Sequence, residues 1–190
     1  MRLKIFMKTL AISVGLMMLT MGVVSAATAE EKRQGIRKVT NETLNEVYQA
    51  QPKAQAVVEK AAGYAAFTIT DAKLIFFGGG GGRGMSVSNR TGQEIFMGAA
   101  DVQFGLGLGI KKYDVLFVFG TENALANFSD NGWEFGGQAT LAATDSVNGE
   151  SLEGAVSVAP DIWMYQLTDK GLEASVTVRA IRYYKEKDLN

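Results

Sequence analysis

The chain offers few of the side chains that carry out catalysis. It contains no histidine and no cysteine among its 190 residues, so it lacks the usual general base, the thiol nucleophile and the commonest ligands for transition metals. Acid pairs that could act in hydrolysis lie in segments of turn or loop character: Asp71 with Glu94, and Glu150 with Glu153. Because no spacing singles out either pair, we predict that the protein is not an enzyme, with no catalytic residue, no metal site and no cofactor.

A glycine-rich run could form a phosphate-binding loop. Residues 78–84 include six glycines, but such a loop must open a helix whose N-terminus faces the phosphate. Met85 stands where the nucleotide-binding pattern requires lysine, and residues 85–88 have the composition of a strand. We therefore interpret the run as a glycine-dense turn or bulge at which another element packs close to the backbone.

A cluster of cations near the N-terminus is the best candidate for a binding site. Four cations within residues 32–38 alternate with apolar residues at helical spacing, which predicts a short basic amphipathic helix. Such a helix can lie on an anionic membrane with its apolar residues in the interface and its cations at the headgroups. The alternative is a solvated helix face whose field is diluted by neighbouring glutamates. The predicted lipid-binding residues are Lys32, Arg33, Ile36, Arg37, Lys38, Val39 and Leu44.

The first 26 residues have the organisation of a secretory signal peptide. Three basic residues precede an apolar run from Thr9 to Val24, and the small residues Ser25 and Ala26 follow it. This order predicts cleavage after Ala26, with an uncleaved membrane anchor as the alternative. The absence of cysteine excludes a lipoprotein anchor and favours a bacterial periplasmic or secreted protein over a eukaryotic secretory one.

The charge balance argues against nucleic-acid binding. The chain carries 19 Lys and Arg against 20 Asp and Glu, and loss of Arg2, Lys4 and Lys8 with the signal peptide changes the formal net charge from −1 to −4. A weakly acidic protein lacks the broad positive field that nucleic acids require. Any attraction to anionic lipid must therefore come from a local patch.

Helical periodicity is confined to the first third of the chain. Residues 27–51 form a predicted N-terminal helical segment that Asn41 and the Gln51–Pro52 pair are expected to interrupt. A second helix is predicted from Pro52 to about Ala62, ended by Gly63. A third, short helix over 121–128 is predicted from the N-cap residue Thr121.

The remainder of the chain reads as strands. Alternating or continuous apolar runs separated by turn residues predict strands at 64–70, 73–77, 85–88, 94–97, 102–110, 113–119, 133–143, 155–158, 162–167 and 172–184. This density of strands, with few helices, predicts an α+β fold. We expect an antiparallel, barrel-like or strongly bent β-sheet with N-terminal helices and one short inserted helix.

An ordered series of motifs runs through residues 52–184. The motifs are the proline-initiated helix and strand 52–67, Gly82-Arg83-Gly84-Met85, Gly105-Leu106-Gly107-Leu108-Gly109, the strand 113–119, the helix 123–128 with its Gly-Trp exit, Ile162-Trp163-Met164-Tyr165, and Lys170-Gly171-Leu172. In this order they resemble the SYLF domain, also called the Ysc84-type actin-binding or lipid-binding domain. The chain departs from the family pattern after Leu172, where Glu173-Ala174-Ser175 replaces the usual apolar–Ala–Gly.

The resemblance implies a lipid-binding module without known catalysis. In eukaryotic members an amphipathic N-terminal helix binds phosphoinositide membranes, and some yeast members bind actin. An exported bacterial protein would not meet actin, so the expected partner is phospholipid or a membrane surface, and a protein partner is not identified. The alternatives are a small outer-membrane β-barrel and an envelope protein–protein interaction module. The predicted organisation is a signal peptide at 1–26, a helical segment at 27–51 and a SYLF-like glycine-rich β domain at 52–190.

Overall fold

The computed structural model of the chain describes residues 28–135, 154–168, 171–173 and 180–190. The predicted signal peptide lies outside these ranges, as do residues 136–143 and 174–179 of two predicted strands. Within the described ranges, no helix combines the length and the apolar character needed to cross a bilayer.

Two helices precede the sheet. Helix α1 covers residues 28–50 without interruption at Asn41, because Asn41 is exposed while Thr40, Thr43 and Leu44 beside it are buried. Tertiary packing of one helix face thus outweighs the modest helix propensity of asparagine. Helix α2 spans Lys53–Lys60 and begins after Pro52, as predicted.

One long hairpin dominates the sheet. Strand β1 (Gly63–Ser88) pairs antiparallel with β2 (Glu94–Phe119), from Gly63 opposite Phe119 to Val87 opposite Glu94. Several strands that were predicted separately are therefore segments of two 26-residue strands. Gly63 begins β1 and does not serve as a cap for α2; a side chain there would collide with Leu125.

Strand β1 doubles back so that its second half lies over its first half. A Cβ atom added at Gly82 would lie 2.5 Å from the Thr68 carbonyl oxygen, and one added at Gly80 would lie 2.7 Å from that of Thr70. Close packing at the glycine run is confirmed, but the prediction of a turn or bulge there is wrong, because residues 78–84 are strand. The bend lies at residues 73–77, where the pairing with β2 shifts register between Ile75 and Phe77.

Five short strands complete the sheet in the described residues. They are β3 (Trp133–Phe135), β4 (Val156–Ala159), β5 (Ile162–Thr168), β6 (Gly171–Glu173) and β7 (Ala180–Lys185). On the β2 edge away from β1, β7 pairs with residues 97–102 and β5 with residues 114–119; β3 joins β7, while β4 and β6 join β5, and all pairs are antiparallel. The predicted α+β class with a strongly bent antiparallel sheet is confirmed.

The sheet is covered on both faces around the C-terminal half of β2. Helix α3 (Glu122–Asn131) begins at the predicted N-cap, where the Thr121 hydroxyl accepts a hydrogen bond from the Ala124 amide at 3.3 Å. Its Phe128 packs among rings of the sheet, 5.3 Å from Phe117 and 5.6 Å from Tyr183 between centroids. Helices α1 and α2 pack on the other face in a second buried cluster. Burial on both sides explains why residues 115–119 are continuously apolar.

Candidate functional site

The apolar residues of the predicted membrane-binding helix are largely inside the protein. Ile36 is 4 % exposed and packs in a cluster with Met85, Phe96 and Leu189. Leu44 is 8 % exposed and belongs to the cluster that joins α1 to the sheet; Val39 is half-buried. In this structure Ile36 and Leu44 hold α1 on the domain, so their insertion into a membrane would require α1 to leave the sheet.

Two of the predicted cations also fasten α1 to the domain. The Arg33 Nε atom donates to the Leu189 carbonyl oxygen at 2.9 Å. The Arg37 Nε atom donates to Glu94 at 2.8 Å, and its guanidinium group lies 5.2 Å from the centroid of the Phe96 ring. The hydrogen bond to Glu94 raises the pKa of Arg37. Both arginines thus make contacts within the fold.

The other two predicted cations face solvent. Lys32 and Lys38 are exposed, and Lys38 forms a 3.8 Å ion pair with the exposed Glu42. Lys32 borders an open groove of about 820 Å³ between α1 and the sheet, together with Arg83, Glu31 and Glu186. Because the groove carries acids as well as cations, its charge is mixed. Lipid contact by this part of α1 stays a prediction.

A different surface carries most of the exposed large apolar side chains among the described residues. We define the ribbon tip as residues 73–77 of β1 and 108–112 of β2, at the bend of the doubled hairpin. Its large apolar side chains are 59–80 % exposed: Leu74, Ile75, Phe76, Phe77, Leu108 and Ile110. Leu74 lies directly opposite Leu108, so these two share one face. Several large apolar side chains exposed at one end of a protein often mark an interaction site.

Lysines flank the apolar residues of the ribbon tip. Lys73 is half-buried beside the bend, while Lys111 and Lys112 are exposed on β2. Residues 72–78 and 107–113 contain these three lysines and no acid. The neighbouring Asp71 is buried, and Asp114 accepts a hydrogen bond from the Thr68 hydroxyl. The exposed charge at this end of the molecule is therefore positive.

The backbone is strained at the ribbon tip. Ile75 has φ of 55°, in the left-handed region that β-branched residues rarely adopt. Such a conformation costs on the order of 1–2 kcal/mol. The Ile75 side chain is nevertheless more than half exposed, so burial of this side chain in the core does not offset the strain. Strained backbone positions of this kind cluster at active sites and at ligand-binding sites.

The acid pair that the structure forms differs from the predicted pairs. Glu94 pairs with Arg37 and not with Asp71, and Glu150 and Glu153 lie outside the described residues. Asp71 and Asp101 instead point toward the space beside Gly80, and they are 4 % and 5 % exposed. Burial, followed by the charges of Tyr113, Asp101 and Asp71, raises the pKa of the nearby Tyr183 well above its usual value. These polar groups lie inside the doubled sheet, away from the surface.

The ribbon tip is the feature that sequence reasoning missed. The sequence predicts that Leu74-Ile75-Phe76-Phe77 is part of a strand, and the structure confirms this. The exposure of these residues depends on where the hairpin bends. A signal was present: four consecutive large apolar residues follow Lys73, and Lys111 and Lys112 interrupt the apolar run on the opposite strand. Apolar residues flanked by cations on both strands are unusual for a sheet interior.

Comparison with known proteins supports the resemblance seen in the motifs. The family model Ysc84, described as "Las17-binding protein actin regulator", matches residues 100–190. The chain is similar to Beta cell expansion factor A of Aeromonas veronii, with 27 % identity over 162 residues that cover 85 % of this chain and 60 % of that protein. The chain thus spans about 60 % of the length of this relative.

The matched region includes the second half of the ribbon tip and most of the sheet. It begins within β2 and continues to Asn190, so it contains the apolar strand 113–119, helix α3 and the motif Ile162-Trp163-Met164-Tyr165. The Ysc84 family is a family of binding domains that is linked in general to actin and lipid and is not known for catalysis. Over residues 100–190, just under half of its length, the chain is similar to the Ysc84 (SYLF) family.

Proposed function

We propose that the protein is a non-enzymatic envelope protein that binds lipid or a membrane surface. The observation that carries this proposal is the set of six large apolar side chains that the ribbon tip exposes together. Removing apolar surface from water is favourable by roughly 25 cal/mol per Å², so this surface favours an apolar partner. Similarity to a family of binding domains over residues 100–190 supports a role without catalysis.

The structure changes the part that α1 plays in this proposal. Ile36 and Leu44 stabilise the docked position of the helix, since both are buried against the domain. Lys32 and Lys38 remain exposed and are free to approach lipid headgroups. Basic residues near an anionic surface contribute on the order of 1 kcal/mol each. The helix would then contribute charge to a membrane contact, while the apolar part of the contact comes from elsewhere.

Vesicle co-sedimentation tests the proposed function. The processed protein, checked by intact mass to lack residues 1–26, is mixed with vesicles of phosphatidylethanolamine and phosphatidylglycerol. We expect it to pellet with the vesicles in proportion to lipid concentration and to stay in the supernatant without lipid. Complete recovery in the supernatant at every lipid concentration would contradict the proposal.

The proposed location rests on the predicted signal peptide and is tested separately. Expression of the full sequence in a bacterial host, followed by fractionation and intact mass measurement, should recover a protein beginning at Ala27 outside the cytoplasm. Recovery of the uncleaved chain from the cytoplasm would contradict export, and it would leave the lipid-binding measurement unaffected.

A further inference from the structure

We propose that the ribbon tip is an insertion element for anionic membranes. Its apolar side chains enter the interfacial region of the bilayer, and Lys73, Lys111 and Lys112 bind lipid phosphates around them. This inference rests on the proposed function, because it names the surface and the lipid class for the same activity. It also assigns the apolar contact to the sheet and not to helix α1.

The shape of the tip suits a planar partner. Residues 73–77 form the apex of a doubled ribbon, since a Cβ atom added at Gly78 would lie only 3.0 Å from the Ala72 carbonyl oxygen. An apex can enter a bilayer while the rest of the domain stays in water. Pairing with β2 is interrupted only at Phe76, with Leu74 opposite Leu108, Ile75 opposite Gly107 and Phe77 opposite Phe104. Backbone groups that are paired within the ribbon lower the cost of leaving water.

The charge at the tip selects for anionic lipid. Three lysines and no acid occur in residues 72–78 and 107–113, although the whole chain is slightly acidic. Exposed charges separated by more than about 10 Å are largely screened at 0.1 M salt. The local lysines therefore determine attraction at the tip, and acids elsewhere on the surface oppose it only weakly.

The strained backbone is a second, independent observation. Ile75 keeps a positive φ at the apex, where glycine would adopt the same conformation without strain. The chain places a large apolar side chain there, and that side chain is 59 % exposed. Ile75 strains the backbone, and most of its side chain packs against nothing in the fold. A contact between this side chain and a partner would explain why isoleucine occupies the position.

A second copy of the chain is a less suitable occupant. Two tips that met would bring six lysines together with no acid from either tip to neutralise them. Like charges at a desolvated contact weaken association. A bilayer that contains phosphatidylglycerol supplies both the apolar phase and the negative charge.

Three sets of substitutions in the processed protein test the assignment by co-sedimentation. The apolar set is Leu74→Thr, Phe76→Thr and Leu108→Thr; the tip-lysine set is Lys73→Gln, Lys111→Gln and Lys112→Gln; the control set changes the exposed lysines Lys53, Lys60 and Lys187 to Gln. Threonine suits exposed strand positions. Circular dichroism and thermal melting select the variants that keep the wild-type fold, and Lys32→Gln with Lys38→Gln tests the contribution of α1.

The expected results separate this inference from the proposed function. The apolar set should weaken partitioning by at least 100-fold, since each large apolar group contributes about tenfold or more. The tip-lysine set should weaken it roughly 100-fold on vesicles with phosphatidylglycerol and only slightly on neutral phosphatidylcholine, and the control set should change it less than threefold.

Binding of the wild type together with equal binding of folded apolar and tip-lysine variants would overturn the inference and leave the proposed function standing. A large loss of vesicle binding in the Lys32→Gln, Lys38→Gln variant alone would show that helix α1, and not the ribbon tip, contacts the membrane. Failure of the wild type to bind any vesicle would contradict both proposals. Size-exclusion chromatography adds the remaining outcome: a wild-type dimer that the apolar set dissociates would assign the tip to a second copy of the chain.

Discussion

Successive glycines of the run 78–84 face opposite sides of strand β1, and this gives the sharpest prediction about the fold. Gly82 faces the first half of β1, where an added Cβ atom would lie 2.5 Å from the Thr68 carbonyl oxygen. Gly81 faces away, and its added Cβ atom would lie 3.4 Å from the Ala99 carbonyl oxygen, an ordinary contact. Gly82→Ala and Gly81→Ala therefore form a matched pair of neighbouring substitutions with opposite expected effects.

The magnitudes follow from two opposing terms. Alanine in a strand interior gains roughly 0.5–1 kcal/mol over glycine from the lower entropy of the unfolded chain. Overpacking against an atom that cannot rotate away costs typically 1–3 kcal/mol, and the Thr68 carbonyl is such an atom because it belongs to the backbone. We expect Gly82→Ala to lower the free energy of unfolding by about 2 kcal/mol, and Gly81→Ala to leave it unchanged or raise it by up to about 1 kcal/mol.

Urea unfolding of the two variants and the wild type, followed by circular dichroism, measures these differences. At about 2–4 °C per kcal/mol for a chain of this size, thermal melting should show Gly82→Ala lower by about 4–8 °C. If the Gly82→Ala variant did not fold at all, this would also agree with the predicted destabilisation. Equal effects of the two substitutions, or a more harmful Gly81→Ala, would refute the doubled arrangement of β1.

Three further predictions concern the helix, the tip and alkaline pH. Ile36→Ala should destabilise the protein by roughly 2–5 kcal/mol in urea unfolding, because Ile36 is buried with Met85 and Phe96; a change below 0.5 kcal/mol would show that α1 is not docked as described. Ile75→Gly relieves the positive φ, worth about 1–2 kcal/mol, but glycine costs roughly 0.5–1 kcal/mol through the unfolded chain. The free energy of unfolding should therefore stay the same or rise by up to about 1 kcal/mol, while vesicle binding weakens about tenfold; unchanged or stronger binding would contradict the role of the side chain. Burial raises the pKa of Tyr48 to about 12 and raises the pKa of Tyr183 well above its usual value. The unfolded chain loses these protons from about pH 10 while the folded protein keeps them, so stability should fall above pH 10 by at most about 1.4 kcal/mol per pH unit for each tyrosine; Tyr183→Phe should reduce the slope, and an unchanged slope would show that Tyr183 does not contribute.

Local signals in the sequence predicted local structure well. The Thr121 cap and the short helix after it depend on a hydroxyl and an amide three residues apart, so they can be read directly. The antiparallel sheet followed from strand density. The length of β1 could not be predicted from the sequence. A strand is recognised by side chains that alternate between apolar and polar, and glycines have no side chains that could show this alternation. The glycine run 78–84 is therefore predicted to be a turn or bulge, although it lies in the interior of a strand.

The position of the candidate site depended on contacts between distant segments. The apolar spacing of Ile36 and Leu44 indicated that α1 has an apolar face, but spacing does not say what covers that face. The apolar face of α1 packs against the sheet and against Leu189, which lies 153 positions after Ile36 in the sequence. Likewise, Asp71 faces Asp101 and not Glu94 because of the bend in the hairpin. The exposure of Leu74 and Phe76 follows from that same bend.

The absence of cysteine allows a direct measurement of which surface meets the membrane. Single cysteines at Phe76 in the ribbon tip, Lys38 on α1 and Lys187 near the C-terminus can each carry an environment-sensitive nitrobenzoxadiazole label. With phosphatidylglycerol-containing vesicles, we predict a blue shift and a severalfold rise in emission for the label at position 76, and little change at positions 38 and 187. A response at position 38 without one at position 76 would contradict insertion of the ribbon tip.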